Sequence, residues 1–485
     1  MDFNNNVLIL GYGAVSKCVL PILPKHLSIP WKNITVLDFE DKEQSIRQFT
    51  ERGVKFYREK IEEGNLNRIL SSHLKKGDLL IDLAWNIGCD DVVKYCHNND
   101  ILYINTSVEQ WDPEKDMDMK STFEKTLYYR HMSLRNLSGT WTNSATAIVE
   151  HGANPGLISH WTKQGLIDIA YKLIEDKRVS KKEGKSLEGL VDSKKFPELS
   201  MKLGVKVIHC SEKDTQISNR PVDIDEFVGT WSIEGFREEG TAPAEMGWGT
   251  HEKYIPENSC HAPYGPQNQI FLNQMGINTY VRSWIPDQEI IGMVVRHGEA
   301  FGISERFTIW EGEKEKSIPV YRPTVHYAYM PCPATLASLW ELRARNGKLP
   351  PRLSILNDSE IKSGADILGA LIMGHKYNSW WTGSILDIEE SRKLNPGQNA
   401  TTIQVALGVI SAAMWAVENP RRGVCLPDDL PHDYVLKIAN PYLGRSVSKS
   451  SDWTPLKKRT VYFKENKHGQ FDNDIWQFNN FLFVP

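Results

Sequence analysis

The stretch Val7-Leu8-Ile9-Leu10-Gly11-Tyr12-Gly13-Ala14-Val15-Ser16-Lys17 decides the fold. Four apolar residues in a row suit a strand buried on both faces, and Gly11 supplies the tight turn out of it. Gly13 lets backbone approach a pyrophosphate, which would rest on the N-terminus of the helix opening at Ala14 and Val15. Where the G-x-G-x-x-G pattern has its third glycine this chain has Ser16, still small enough for close packing of helix on strand. A glycine pattern alone is weak evidence. Its place after a strand and before a helix is what makes it a dinucleotide-binding turn.

Working outward, strand-like runs at Ile34–Asp38, 79–83 and 101–105 alternate with helix-sized stretches at 42–53, 64–76 and 90–98. That alternation predicts right-handed βαβ crossovers and a parallel sheet covered on both faces. The second strand ends in Val36-Leu37-Asp38. A carboxylate at that place hydrogen-bonds the adenosine ribose hydroxyls and repels a 2′-phosphate, so the expected cofactor is NAD rather than NADP. The later strand ends Leu83-Ala84-Trp85-Asn86 and Asn105-Thr106-Ser107 fall on the carboxyl edge, where open α/β sheets bind ligands. Ala84 and Thr106 are therefore expected beside the cofactor.

The fold class is α/β, with a Rossmann-type parallel sheet over residues 1–150 and a second, α+β domain over 151–399. Short β-like alternation at 230–234, 290–296 and 303–311 points to a sheet in that second domain. A lysine-rich stretch at 177–206, interleaved with Glu183, Glu188, Asp192 and Glu198, reads as a solvated helix and loop. Residues 399–420 form one long helix, apolar nearly all round and stopped by Pro420. Such a helix must lie between layers, and a returning segment at about 400–450 is expected to complete the first domain. Residues 451–485 read as a C-terminal extension.

Composition narrows the partners. The chain has 485 residues, with 57 Lys+Arg against 61 Asp+Glu and a net charge of −4, which excludes a basic nucleic-acid footprint for the whole molecule. No apolar run approaches the ~18 residues that span a bilayer. Residues 1–6 are polar and lead straight into a strand, so no signal peptide is visible. The seven cysteines are scattered, odd in number and without a C-x-x-C, which fits a reducing cytoplasm. No nucleophile elbow, P-loop or zinc-ligand spacing is present, so no metal is expected.

Several segments do not look like packing sequence: 108–111, 150–156, 211–216, 229–236, 238–240, 244–252 and 296–300. They interleave carboxylates with tryptophans, of which the chain has 15. Ammonium groups pair with carboxylates, and an indole face over an ammonium adds ~0.5–2 kcal/mol. A polyamine site would use this combination. Taken singly, each Glu reads as surface, each Trp as core, and His251 and His297 as structural histidines. The density of such segments carries the reading. Cys332, between two prolines, reads as structural.

Gly11-Tyr12-Gly13, Val19-Leu20-Pro21-Ile22-Leu23, His151-Gly152-Ala153-Asn154-Pro155-Gly156, Gly229-Thr230-Trp231-Ser232, Glu245-Met246-Gly247-Trp248-Gly249 and Asn399-Ala400-Thr401 together resemble the bacterial homospermidine synthase family. That family belongs to the saccharopine-dehydrogenase-like group, and the resemblance runs from residue 7 to about 450. It implies an NAD-dependent reaction in which one putrescine is oxidised to an imine and loses ammonia. A second putrescine then forms a new imine, and the hydride returns to give homospermidine. It implies amine-binding roles for Glu109, Asn154, Glu212, Trp231, Glu239 and His297, with Asp366 as a seventh. Trp231 would hold the substrate cation, the carboxylates the amine ends, and Asn154 would lie beside the nicotinamide. The family usually has glycine at the place of Ser16. It also implies a homodimer, with the second domain serving dimerisation.

Two other readings keep the same sheet. A saccharopine- or carboxyspermidine-type dehydrogenase would want an arginine clamp for an amino-acid carboxylate. Arg282, Arg296 and Arg322 are its candidates. A non-catalytic NAD-sensing regulator would keep Gly11, Gly13 and Asp38 without needing Glu212, Trp231 and Glu239 together.

Overall fold

The computed structural model describes residues 1–113, 115–312, 318–459 and 472–483. The expected extension 451–485 therefore lies partly outside the described residues. The first sheet contains β1 (Val7–Leu10), β2 (Ile34–Asp38), β3 (Lys55–Arg58), β4 (Leu79–Asp82), β5 (Leu102–Asn105) and β6 (Ala147–Ile148). Their order is 6-5-4-1-2-3, all parallel, and Val424–Cys425 returns to pair with β6 at the edge. The strand order reverses between β1 and β4, and ligands of open α/β sheets bind outside the strand ends at such a point. β1, β2, β4 and β5 are buried along their whole length, as apolar strands under helices on both faces must be. β3 carries no apolar signal: Lys-Phe-Tyr-Arg is an exposed edge strand whose polar composition hides it.

The second sheet is mixed and larger. At its centre, β7 (Val207–Asp214) lies between Thr324–Met330, parallel to it, and Ala365–Met373, antiparallel. The register sets Tyr329 opposite Glu212 and Asp366 opposite Asp214, so acidic and aromatic residues gather at one end of three adjacent strands. Two stretches that read as strand-like are helical in part. Residues 230–234 open a helix, Ile233–Thr241, because Ser232 caps it by accepting a hydrogen bond from Gly235 N at 3.2 Å. Of residues 303–311, only 303–306 belong to the buried helix Gly298–Arg306, and Ile309–Trp310 is a short strand. The lysine-rich stretch forms two helices, Lys181–Asp192, which starts at a Ser180/Glu183 capping box, and Phe196–Leu203.

The long helix is Ala400–Glu418, capped by Asn399, whose side chain accepts from Thr402 N. Against the expectation that no apolar run approaches a bilayer span, this helix alone among the described ones is long and apolar enough to cross a membrane, but 83% of that window is buried inside the protein. It packs against the helix α1 (Ala14–His26), β5 and β6, and also touches Ala365–Met373 of the second sheet. Gly408 permits its closest approach: a Cβ there would lie 2.0 Å from Gly152 O.

Candidate functional site

The glycine turn is built as its sequence requires. Gly11 has φ +80, and a Cβ would meet Leu83 O at 3.0 Å, so the turn packs directly on the end of β4. Gly13 caps α1 with no side-chain hydrogen bond, and nothing lies within 4 Å of where its Cβ would be. Open space before an uncapped helix N-terminus fits a pyrophosphate. Ser16 packs there and donates its hydroxyl to Gly11 O. Asp38 lies at the end of β2, where its carboxylate accepts from Tyr12 N at 2.6 Å and from Glu40 N at 2.8 Å. It therefore organises the turn. Val15, Ala84 and Thr106 line the cavity that continues from this turn. Ala14 is the first residue of α1.

That cavity, of about 140 Å³, brings together Glu109, Asn154, Glu212, Trp231, Glu239 and His297. Asp366 does not line it. It sits fully buried behind Thr401, which does, and receives that residue's hydroxyl at 2.6 Å. Asn154 stands in a tight loop where Gly152 N donates to Pro155 O and Gly156 takes φ +133. From there it donates to Glu212 Oε2 at 2.7 Å and to the Tyr327 hydroxyl. Tyr327 in turn donates to the same Glu212 oxygen. Trp231 donates from Nε1 to the Tyr329 hydroxyl at 3.1 Å, and its ring meets Phe236 edge-on.

Electrostatics separate these groups. Burial pushes the Glu212 carboxyl up to about 7, against the hydrogen bonds from Tyr327 and Asn154. Burial also takes Glu109 up to about 7, helped by the charge of Glu238 and opposed by Arg130. Burial and the charges of Glu212 and Asp214 hold Asp366 well above the usual carboxylate range. His297 goes the other way. Burial opposes its charge, but hydrogen bonds to Glu239 and Glu299 prevail and raise it to about 10, so it is an imidazolium at neutral pH. Glu109 Oε2 is buried without a hydrogen-bond donor, and Glu239 Oε2 faces only the His297 imidazolium, whose Nε2 is 3.4 Å away. Buried carboxylate oxygens without donors are what a cationic ligand would satisfy.

Tyr327 escaped the sequence reading. The signal available was the alternation His326-Tyr327-Ala328-Tyr329, which stacks two phenols on one strand face, 5.1 Å apart. Other sequence candidates serve the scaffold. Glu245 accepts from Leu127 N and Tyr128 N at a helix start, Trp248 packs on Phe478, and His251 binds Trp476 O while burial lowers it to about 4. Arg282 pairs with Glu289 and Arg322 reaches Thr308, both away from the cavity. Arg296 lies behind the site but engages Glu238 with Arg130, so none of the three is a free clamp in the cavity.

Residues 7–149 match the family model described as the saccharopine dehydrogenase NADP binding domain, and residues 152–450 the saccharopine dehydrogenase C-terminal domain. The homospermidine synthase of Mesorhizobium japonicum is 36% identical, covering 99% of this chain and 97% of that protein. That of Blastochloris viridis is also 36% identical, covering 98% and 97%. The crystal structure of the Legionella pneumophila homospermidine synthase in complex with NAD superposes with a TM-score of 0.87 at 33% identity, over 100% of this chain and 99% of that one. Identity at this level over whole chains, with the same fold throughout, places the chain in the homospermidine synthase family.

Proposed function

We propose that this protein makes homospermidine and ammonia from two putrescine molecules, using NAD that is regenerated within each turnover. The observation that carries the reading is the donorless buried oxygen Glu109 Oε2, gathered with Glu239 and Trp231 in a cavity continuous with the glycine turn. When bound, NAD takes a hydride from the first diamine and returns it to the imine that joins the two. Gly11, Gly13, Ala14, Val15 and Asp38 would hold its pyrophosphate and ribose, and Ala84, Thr106 and Asn154 its nicotinamide end.

The chain's own residues supply the rest. Glu109 and Glu239 anchor ammonium ends, and the Trp231 indole face stabilises positive charge between them without accepting a proton. Glu212 is the group placed to accept the proton an amine must lose before it can give up hydride or attack, since its carboxyl titrates near neutral pH. Asn154 and Tyr327 fix its Oε2 for that transfer. His297 stays charged between Glu239 and Glu299 and positions the former. The charge of Asp214 raises the proton affinity of Glu212, and Asp366 sits behind both, bonded to Thr401.

In the same reading the cofactor domain is 1–150 with the segment at about 400–450, and 151–399 binds the diamines. Seven unpaired cysteines support a reducing cytoplasm. Assembly as a homodimer rests on the family resemblance. The test is to incubate the purified protein with putrescine and substoichiometric NAD and to quantify homospermidine, ammonia and NADH. Many product molecules per NAD are expected. Stoichiometric NADH without homospermidine would overturn the reading in favour of a simple amine dehydrogenase.

A further inference from the structure

Behind the diamine cavity, and separated from it by one layer of side chains, lies a second cavity of about 310 Å³ with the opposite character. Lys120, Lys125, Arg130, Arg237 and Arg296 line it against only two carboxylates, Glu124 and Glu238. A protein of net charge −4 has here gathered five cations around one cleft. Glu124 is occupied by its own loop, its Oε2 accepting from Ser121 N at 2.8 Å and Ser121 Oγ at 2.7 Å. Glu238 brings one negative charge to two guanidinium groups, since Arg130 and Arg296 both donate to its Oε1, and the charges of Glu245 and Glu239 also act on Arg296. The two guanidinium groups are nonetheless 7% and 4% exposed. Arg130 Nε is buried with no hydrogen-bond partner. A buried guanidinium with an unused donor is costly unless an anion satisfies it.

We propose that this cleft is a binding site for a small multivalent oxyanion, a phosphate or a dicarboxylate, and that its occupation weakens diamine binding. Guanidinium forks match planar or tetrahedral oxyanions, and the two partly exposed lysines add charge at the mouth. The coupling follows from shared residues. Arg130, Glu238 and Arg296 also wall the small pocket that contains Glu109, Glu239 and His297. Arg130 donates to Val108 O at 2.9 Å, immediately before Glu109. An anion that draws Arg130 and Arg296 away from Glu238 leaves more negative charge beside Glu109, whose carboxyl then holds its proton and no longer pairs with an ammonium.

The experiment uses protein saturated with NAD, so that the pyrophosphate site is filled. Thermal midpoints and putrescine kinetics are measured with sodium phosphate or sodium succinate against sodium chloride at matched ionic strength. Expected are a saturable rise of the midpoint with either oxyanion and about a fivefold rise in the KM for putrescine, with kcat unchanged. Both effects should disappear in Lys120→Ala/Lys125→Ala and persist in Lys181→Ala/Lys182→Ala, which alters lysines on a distant helix. A midpoint response equal to that of chloride, or one unaffected by the Lys120/Lys125 changes, overturns the site. A saturable midpoint response without a change in KM overturns the coupling. The midpoint does not depend on turnover, so it still decides the site if putrescine proves not to be the substrate.

Discussion

Thr401 donates its hydroxyl to Asp366 Oδ2 at 2.6 Å, and this bond ties the first turn of the long helix to a carboxyl that never reaches the cavity. The same turn holds other parts of the site. Asn399 donates to Thr230 O at 2.8 Å, next to Trp231, and Gln216 donates to Thr401 Oγ1 at 3.2 Å while accepting from Ala400 N. Gln216 also donates to Asp214, which receives the Thr230 hydroxyl at 2.8 Å. A helix cap thus fixes the backbone beside Trp231 and the acids beneath it.

Thr401→Val keeps the shape and removes the donor. Asp366 already has one oxygen, Oδ1, without a partner. Losing the other hydrogen bond should cost ~1–3 kcal/mol of stability and raise the KM for diamine. Thr401→Ser should restore both, as read by urea unfolding and steady-state kinetics. Unchanged unfolding and kinetics in Thr401→Val would show that the bond positions nothing.

Glu212 has a pH signature. Its folded carboxyl lies at about 7 against the usual 4.5, so the folded state binds the proton more tightly than the unfolded chain. Stability from this group is therefore present at low pH and declines as pH rises from about 4.5 to about 7. Glu212→Gln mimics the protonated form. It should leave stability unchanged near pH 4.5, add ~1–3 kcal/mol at pH 8, and lower kcat by ~10²–10⁴. Chemical unfolding at the two pH values checks the sign. A variant that is less stable at pH 8 would mean that the carboxylate is not held against its charge.

Trp231 is half-buried at the cavity wall, hydrogen-bonded through Nε1 to Tyr329 and braced by Phe236. Loss of a desolvated cation–π contact of ~2 kcal/mol corresponds to about a thirtyfold fall in kcat/KM. Trp231→Phe should keep part of the activity, whereas Trp231→Ala should lose most of it. Thermal unfolding measured alongside separates this from lost packing. Wild-type kinetics in Trp231→Ala, or an activity loss that merely tracks unfolding, would sink the cation-holding role.

Asp38 holds the backbone at the glycine turn and is expected to meet the ribose, so its variants should separate. Asp38→Ala loses the ribose partner and both backbone contacts, to Tyr12 N and Glu40 N. Weaker NAD binding, less discrimination against NADP and a stability loss of ~1–2 kcal/mol are expected. Asp38→Asn keeps an acceptor for one backbone contact and should recover stability more than selectivity. Calorimetric titration with both dinucleotides checks this. Equal NAD and NADP affinities in wild type would remove Asp38 as the selector.

All of the parallel sheet but its edge strand β3 was legible, because the inner strands are largely apolar and end at a glycine turn and an aspartate whose chemistry is local. Six of the seven expected amine-binding residues share one cavity, although the family pattern that singled them out says nothing of distances. Tyr327 and the Arg130–Glu238–Arg296 cluster were not legible. Their roles come from register between strands far apart in sequence and from charges that meet only after packing. The strand-like readings at 230–234 and 303–311 failed for a local reason. Ser232 caps a helix in one, and the other begins in the last turns of the helix Gly298–Arg306 before Ile309–Trp310 continues as strand.

Gly408 and Gly152 form the contact that joins the two halves of the site. Gly408 lies in the middle of the long helix, where glycine costs ~1 kcal/mol relative to alanine unless packing requires it. Packing does require it, because a Cβ at 408 would stand 2.0 Å from Gly152 O and 2.8 Å from Gly152 Cα. Gly152 belongs to the loop that carries Asn154, and Val405, one turn earlier on the helix, also meets Gly152. Backbone cannot yield as a flexible side chain can, so Gly408→Ala must push the helix and the 152–156 loop apart. Overpacking of this kind costs ~1–3 kcal/mol or more, which outweighs the gain in helix propensity. The displaced loop should also carry Asn154 away from Glu212, at present 2.7 Å from it, so kcat should fall beyond what the stability loss explains. The control is Ser411→Ala, three residues on, which removes only a hydroxyl bonded within the helix and should leave kcat intact. Unfolding measurements and kinetics on both variants decide it. If Gly408→Ala is as stable and as active as wild type, the helix does not set the position of Asn154.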